Sequence, residues 1–192
     1  MNLAPLYLPY GFRVTREQFA GIVRVNHNFR LERTEKGELL VMPPTGGNIG
    51  QYTAKLLAQF VNWNEKTGLG VVFGSSTVFQ LPNGAERSTS IAWVSLDRWN
   101  FLSLEQQQTF PPLCPDCVLE LRSPMESMEM LREKMNEYLD NQLRLGWLID
   151  LPNQKVEVYQ RSKPVIVFDR PDLLMGENVL SGLALNLKFL WN

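Results

Sequence analysis

The residues with the most chemical potential lie in CPDCVLELRSPMES, residues 114–127. Strand alternation through this stretch puts Val118, Glu120 and Arg122 on one face and Cys117, Leu119 and Leu121 on the other. Glu120 then sits in a mostly apolar strand that a following helix should cover. A lone carboxylate is costly to bury there, so it needs a cation, a metal ion or hydrogen-bond donors. Arg122 shares its face. Lys134 flanks the Leu131/Tyr138 stripe of the next helix. Glu32 and Glu38, on an earlier hairpin, could share a divalent ion with it. One chemistry is a magnesium-type oxygen cluster that polarises a phosphodiester and lowers the pKa of an attacking water. A nearby Lys or Arg would offset charge in the transition state. The other is a structural Glu120–Arg122 or Glu120–Lys134 ion pair. Spacing alone leaves both open.

The same stretch holds two decoys. Cys114 and Cys117 have redox spacing, but they precede a strand, and a thioredoxin-like pair needs a helix N-terminus to stabilise its thiolate. A zinc site would need two more ligands. The chain has no other cysteine and a single histidine, His27. Cys117 therefore reads as a small core residue and Cys114 as part of the preceding turn. Asp116 and Glu120 resemble a compressed acidic signature, but four residues of extended strand separate them by about 13 Å, too far to share one ion.

The elements that must position these residues follow from periodicity. TREQFAGIVRVN opens with a Thr15/Gln18 capping box and carries a helical apolar face. FRLER and ELLVM read as a hairpin. After the PPTGGN break, IGQYTAKLLAQFVNWNEKTG reads as a long helix ended by Gly68. GVVF, TVFQL and SIAWV are strand candidates, with a turn at Asn83-Gly84. SLDRWNFLS predicts a short helix capped by Ser95. CVLEL, MESMEMLREKMNEYLDN and LGWLID form a strand–helix–strand unit over 117–150, expected to be a right-handed crossover. KVEVYQ and PVIVF add strands, and GENVLSG and LALNLKFLW close the chain. Trp93 and Trp147 lie among apolar strand neighbours and read as core. The pattern predicts a single α/β domain over residues 1–192, a mixed sheet flanked by helices.

Composition bounds the function. The 192 residues are 44% hydrophobic and 20% charged, with 19 basic and 20 acidic side chains. A net charge of −1 gives weak overall attraction to nucleic acid and speaks against a passive DNA coat. It leaves room for a nuclease, whose cleft needs only local positive charge. The first 14 residues lack the basic and apolar regions of a signal peptide, and no apolar run is long enough for a membrane span. The cytoplasm is the default compartment.

The block LCPDCVLELRSPMESMEMLREKMNEYLDNQLRLGWLIDLPNQKVEVYQR resembles the restriction-endonuclease family abundant in cyanobacteria, as do VMPPTGG, GVVFGSSTVFQLPNGAERS, IAWVSLDRW and LSGLALNL. The resemblance spans nearly the whole chain. It implies a restriction-endonuclease-like fold of the PD-(D/E)XK superfamily, a double-stranded DNA substrate, a magnesium cofactor and a homodimer. By position, Glu120 matches the acidic residue of the central strand, and Lys134 a lysine supplied from the next helix. The family often lacks a lysine two residues after that acidic residue, and here that position is Arg122. Glu32 matches an N-terminal acidic position. The family usually reads Ser-Pro-Asp before the AWV strand, and that aspartate would be the main metal ligand. This chain has Thr89-Ser90 there, and Ser90 supplies no charge. Gly74 also stands where members can carry aspartate. The resemblance thus implies catalytic positions Glu120, Lys134, Arg122 and Ser90, and metal ligands Glu120 and Glu32, with magnesium held weakly. DNA contacts are expected near Lys134, Arg122, Arg87 and Arg33. Two functions fit: a magnesium-dependent endonuclease, or a catalytically degenerate relative that binds DNA. A purely structural or regulatory oligomer is a third.

Overall fold

A computed structural model describes residues 9, 11–26 and 28–191. His27 and most of the N-terminal segment read above lie outside the described residues. The first helix, α1 (Arg16–Val25), carries the complete capping box, with the Thr15 hydroxyl accepting from the Gln18 N–H. The hairpin β1 (Arg30–Arg33) and β2 (Leu39–Met42) pairs antiparallel. Helix α2 (Gly47–Thr67) ends at Gly68, whose φ of 64° is the left-handed conformation that glycine adopts at least cost.

The main sheet has six strands in the order β10-β9-β8-β7-β6-β3. These are β3 (Gly70–Gly74), β6 (Ile91–Ser95), β7 (Cys117–Arg122), β8 (Leu145–Asp150), β9 (Lys155–Gln160) and β10 (Ile166–Asp169). Only β7 and β8 run parallel, joined through α5 (Met128–Asp140); every other neighbouring pair is antiparallel. The architecture is the mixed α/β sheet flanked by helices that the sequence predicts. On one face, Leu56, Phe60 and Trp63 of α2 pack over Leu119, Trp147 and Ile149. On the other, Leu131, Met135 and Tyr138 of α5 cover Val118 and Leu148. Trp93 and Trp147 are core residues, as expected.

A second, four-stranded sheet has the order β2-β1-β5-β4, with β4 (Phe79–Gln80) and β5 (Glu86–Arg87) only two residues each. Of the TVFQL stretch, only Phe79 and Gln80 are strand, and they pair with β5 rather than with the main sheet. Residues 88–90 carry the chain from β5 into β6 and so link the two sheets. Helices α3 (Leu96–Asn100) and α4 (Leu104–Gln108) follow β6. The Ser95 side chain makes no capping bond to α3. Its backbone N–H donates instead to Asp116 at 2.9 Å. A hairpin of β11 (Leu173–Met175) and β12 (Ala184–Asn186) closes the fold.

Candidate functional site

Three segments far apart in sequence meet on the α5 face of the main sheet. Glu120 projects from β7 toward α5. Lys134 lies one turn from Leu131 and Tyr138, so the helical repeat that buries those two residues carries its stem inward as well. Glu32 comes from β1, placed by the pairing of Arg33 with Glu86 across β1 and β5. The Lys134 ammonium lies 2.8 Å from Glu120 Oε1 and 2.9 Å from Glu32 Oε1. It also donates to the Ser88 carbonyl at 2.6 Å. All three side chains are buried.

The two carboxylates are held differently. Glu32 accepts from Lys134, from the Ser88 hydroxyl at 2.9 Å and from Arg87 at 3.2 Å. Burial pushes its pKa up, but Lys134 and Arg87 together outweigh burial and hold it below the ordinary carboxylate value. Glu120 has one long backbone contact, from the Ser90 N–H at 3.4 Å. Its Oε1 is within ion-pair distance of the ammonium, yet no aligned hydrogen bond reaches it. Burial raises the Glu120 pKa, Lys134 only partly offsets this, and Glu32 adds like-charge repulsion. Burial works to lower the Lys134 pKa, but Glu120 and Glu32 more than reverse it, so the ammonium stays charged.

The four expected positions at the sheet end do not all converge. Ser90 is present, but its hydroxyl accepts from the Leu121 N–H at 3.1 Å, which ties it to the strand. Arg122 turns away from Glu120. Its guanidinium pairs with Asp150 at 2.8 Å and donates to the Glu126 carbonyl at 3.0 Å. The register that sets Arg122 opposite Asp150 across β7 and β8 explains this choice. Glu38 lies outside the cluster and faces Arg13. The expected DNA-contacting arginines are engaged internally. Arg33 pairs with the buried Glu86 at 3.0 Å, and Arg87 with Glu32 and with Glu137, the latter at 2.5 Å. Sequence reasoning missed Ser88, whose carbonyl also accepts from the Tyr138 hydroxyl at 3.3 Å. Tyr138 stands one helical turn after Lys134, which was the readable signal.

Asp116 lies at the other end of β7, between Arg98 at 3.0 Å and Arg144 at 3.5 Å. It is a structural carboxylate and shares nothing with Glu120. Both thiols are free and buried. Burial pushes the Cys114 thiol up to about 12 and that of Cys117 well above its ordinary value. The native protein should therefore take up no thiol-alkylating label at mildly alkaline pH, whereas the urea-unfolded chain labels at both cysteines. Rapid native labelling would contradict this placement.

An open groove of about 1220 Å³ runs between the β1–β2 hairpin and α5, with Glu32, Arg87 and Lys134 among its lining residues. Seven of the ten charged side chains lining it are acidic. A second cleft of about 750 Å³ joins it at Met42, Pro43, Met125 and Glu126, and is bordered by Arg30 and the first residues of α2.

The model of the Uma2 family, described as "Putative restriction endonuclease", matches residues 16–188. The chain belongs to the Uma2 family. A crystal structure from Anabaena variabilis ATCC 29413, described as a putative nuclease belonging to DUF820, has a similar fold. It superposes with a TM-score of 0.73 over 84% of this chain and 89% of that chain, at 22% identity. No curated protein matches. Membership in this PD-(D/E)XK-like nuclease family is what the sequence resemblance implied.

The Uma2 fold family implies magnesium, and the residues present can be tested for it. Among the described residues, no group of three or more His, Cys, Asp or Glu side chains could hold a metal ion. The two carboxylates that do converge already share an ammonium, and the third position carries Ser90. A hard divalent cation needs several anionic oxygens at short range. The cluster as it stands does not fit magnesium. No helix of the described residues is long and apolar enough to cross a membrane.

Proposed function

We propose that this Uma2 chain, a single domain over residues 1–192, is a nuclease-fold protein that binds double-stranded DNA and has lost metal-dependent cleavage. The observation that carries this reading is the Lys134 ammonium lying between Glu120 and Glu32, with Ser90 in place of a carboxylate. In that arrangement Lys134, with Arg87 beside Glu32, offsets the negative charge that would otherwise attract a divalent ion. Ser90, Glu120 and Lys134 then act as structural links between β6, β7 and α5. Glu32 extends that link to β1 of the smaller sheet.

The DNA backbone is better suited to the second cleft than to the acidic groove, where phosphates would be repelled. Helix α2 is 21 residues long, has no acidic residue in its first turn and no side-chain cap at Gly46. Its free N–H groups and its dipole favour an anion. Arg30 borders the same cleft, and its buried Nε has no acceptor.

Fluorescence anisotropy with a duplex oligonucleotide, beside a supercoiled-plasmid nicking assay in magnesium or manganese, tests the reading. Salt-sensitive duplex binding without nicking is expected, with Arg30→Ala weakening the binding several-fold. Nicking by the wild-type protein that disappears in Glu120→Gln would refute the loss of cleavage. Absence of duplex binding would refute the DNA ligand.

A further inference from the structure

The groove between the β1–β2 hairpin and α5 combines two surface properties that DNA would not use. Its walls are acidic, and apolar side chains stand exposed along them. Seven acidic side chains against three basic ones leave an excess of four negative charges, on a chain whose net charge is −1. Two of the three bases, Arg87 and Lys134, are buried against Glu32, Glu120 and Glu137. Lys36 is the one exposed cation of the lining. Glu35, Glu133 and Asp140 are exposed and form no ion pair among the described residues.

The helical repeat aligns one wall. Met130, Glu133, Glu137 and Asp140 are spaced three and four residues apart, so they form a single stripe along α5. Met130 is 59% exposed, and Met125, just before the helix, is 86% exposed. Val41, on the facing hairpin, is 36% exposed. Methionines are adaptable apolar contacts. Set in a concave acidic wall, they match a ligand that carries apolar and cationic side chains on one surface.

We propose that this groove docks a short amphipathic helix of a partner protein, with lysine or arginine flanking an apolar stripe. Acidic positions three and four residues apart are met by basic positions at the same spacing on a helix lying alongside α5. The groove volume of about 1220 Å³ holds roughly eight residues, or about two turns, of such a helix. Phosphates would be repelled here, and a simple polyamine would leave the methionines in water. The groove and the cleft proposed for DNA share only Met42, Pro43, Met125 and Glu126, so either ligand can fail while the other still binds.

Fluorescence anisotropy of the full chain with a fluorescein-labelled leucine–lysine peptide of about four helical turns tests this. Saturable binding is expected, weakening at high salt. Oligolysine and a leucine–glutamate peptide of the same length should each bind at least about tenfold more weakly. Glu133→Lys with Asp140→Lys should weaken the leucine–lysine peptide at least about tenfold. Glu65→Lys with Glu105→Lys makes the same change in net charge at exposed positions outside the groove, and should shift affinity less than about twofold. Met130→Ser should weaken binding several-fold. Absence of saturable binding overturns the proposal. An equal loss with both charge-reversal pairs also overturns it, since the attraction would belong to the whole chain. Oligolysine binding as tightly as the amphipathic peptide would reduce the groove to a polycation site and overturn the helix. Self-association of the wild type that Glu133→Lys with Asp140→Lys abolishes, read by sedimentation equilibrium, would assign the groove to a second copy instead.

Discussion

Replacing Lys134 by methionine is expected to destabilise the protein by roughly 3–5 kcal/mol at neutral pH, the usual penalty for stranding a buried charge. Methionine fills nearly the same volume, so little of the loss comes from packing. The loss comes from Glu32 and Glu120, which would face each other without a counter-ion. Two signatures separate this from a general packing defect. First, the deficit should shrink as pH falls through the carboxylate range, because protonation removes the repulsion. Second, manganese should restore stability to the variant and do nothing for the wild type, since the freed oxygens become available to an added cation. Thermal melts at several pH values, with and without manganese, check both.

The wild-type cluster has its own pH limits, and the signs differ by residue. Glu32 is held below its ordinary value of 4.5, so its contribution is present above that value and fades as pH falls through the folded pKa. Glu120 is raised above 4.5, so its contribution is full at low pH and is lost as pH rises through the folded pKa. Lys134 is raised above 10.5, so its contribution is full below that value and is lost only as pH climbs through the raised one.

The second large effect is expected from Ser90→Asp. An aspartate there stands beside Glu120, and one of its oxygens can take over the Leu121 N–H that the serine hydroxyl now accepts. The substitution adds a third carboxylate beside the ammonium and makes the cluster more negative by one charge. Affinity of oxygen sites for hard cations follows ligand charge, so manganese affinity should rise at least about tenfold. Thr89 is best left unchanged, because its buried hydroxyl donates to the Leu119 carbonyl at 2.8 Å. The variant should also gain metal-dependent plasmid nicking. Calorimetry reads the first change and gel mobility the second; unchanged manganese affinity would place the missing charge elsewhere.

The strands and helices that carry the site were legible because their burial is one-sided and periodic. CVLEL, LGWLID and the Leu131/Met135/Tyr138 stripe sit where alternation and the helical repeat put them. The smaller sheet was less legible. Strands β4 and β5 have two residues each, too few to show any period. Helix α4 carries a Ser103/Gln106 capping box, a local signal for its start, but at five residues it is too short to show a helical repeat. The convergence of Glu120 and Lys134 was anticipated from one strand–helix–strand unit. The bridge to Glu32 spans 102 residues and depends on the β1–β5 pairing, for which no local signal exists. Arg122 illustrates the limit of alternation. Its position on the Glu120 face was readable, but its partner is set by the parallel register with β8, and a charged side chain at a strand end follows the nearest carboxylate.

The central claim is that an ammonium already occupies the seat a divalent ion would need. Manganese titration of the wild-type protein, followed by electron paramagnetic resonance, tests it most directly. The account predicts that the free-ion signal persists through millimolar manganese with no saturable loss. A sub-millimolar site that vanishes in Glu120→Ala would contradict it.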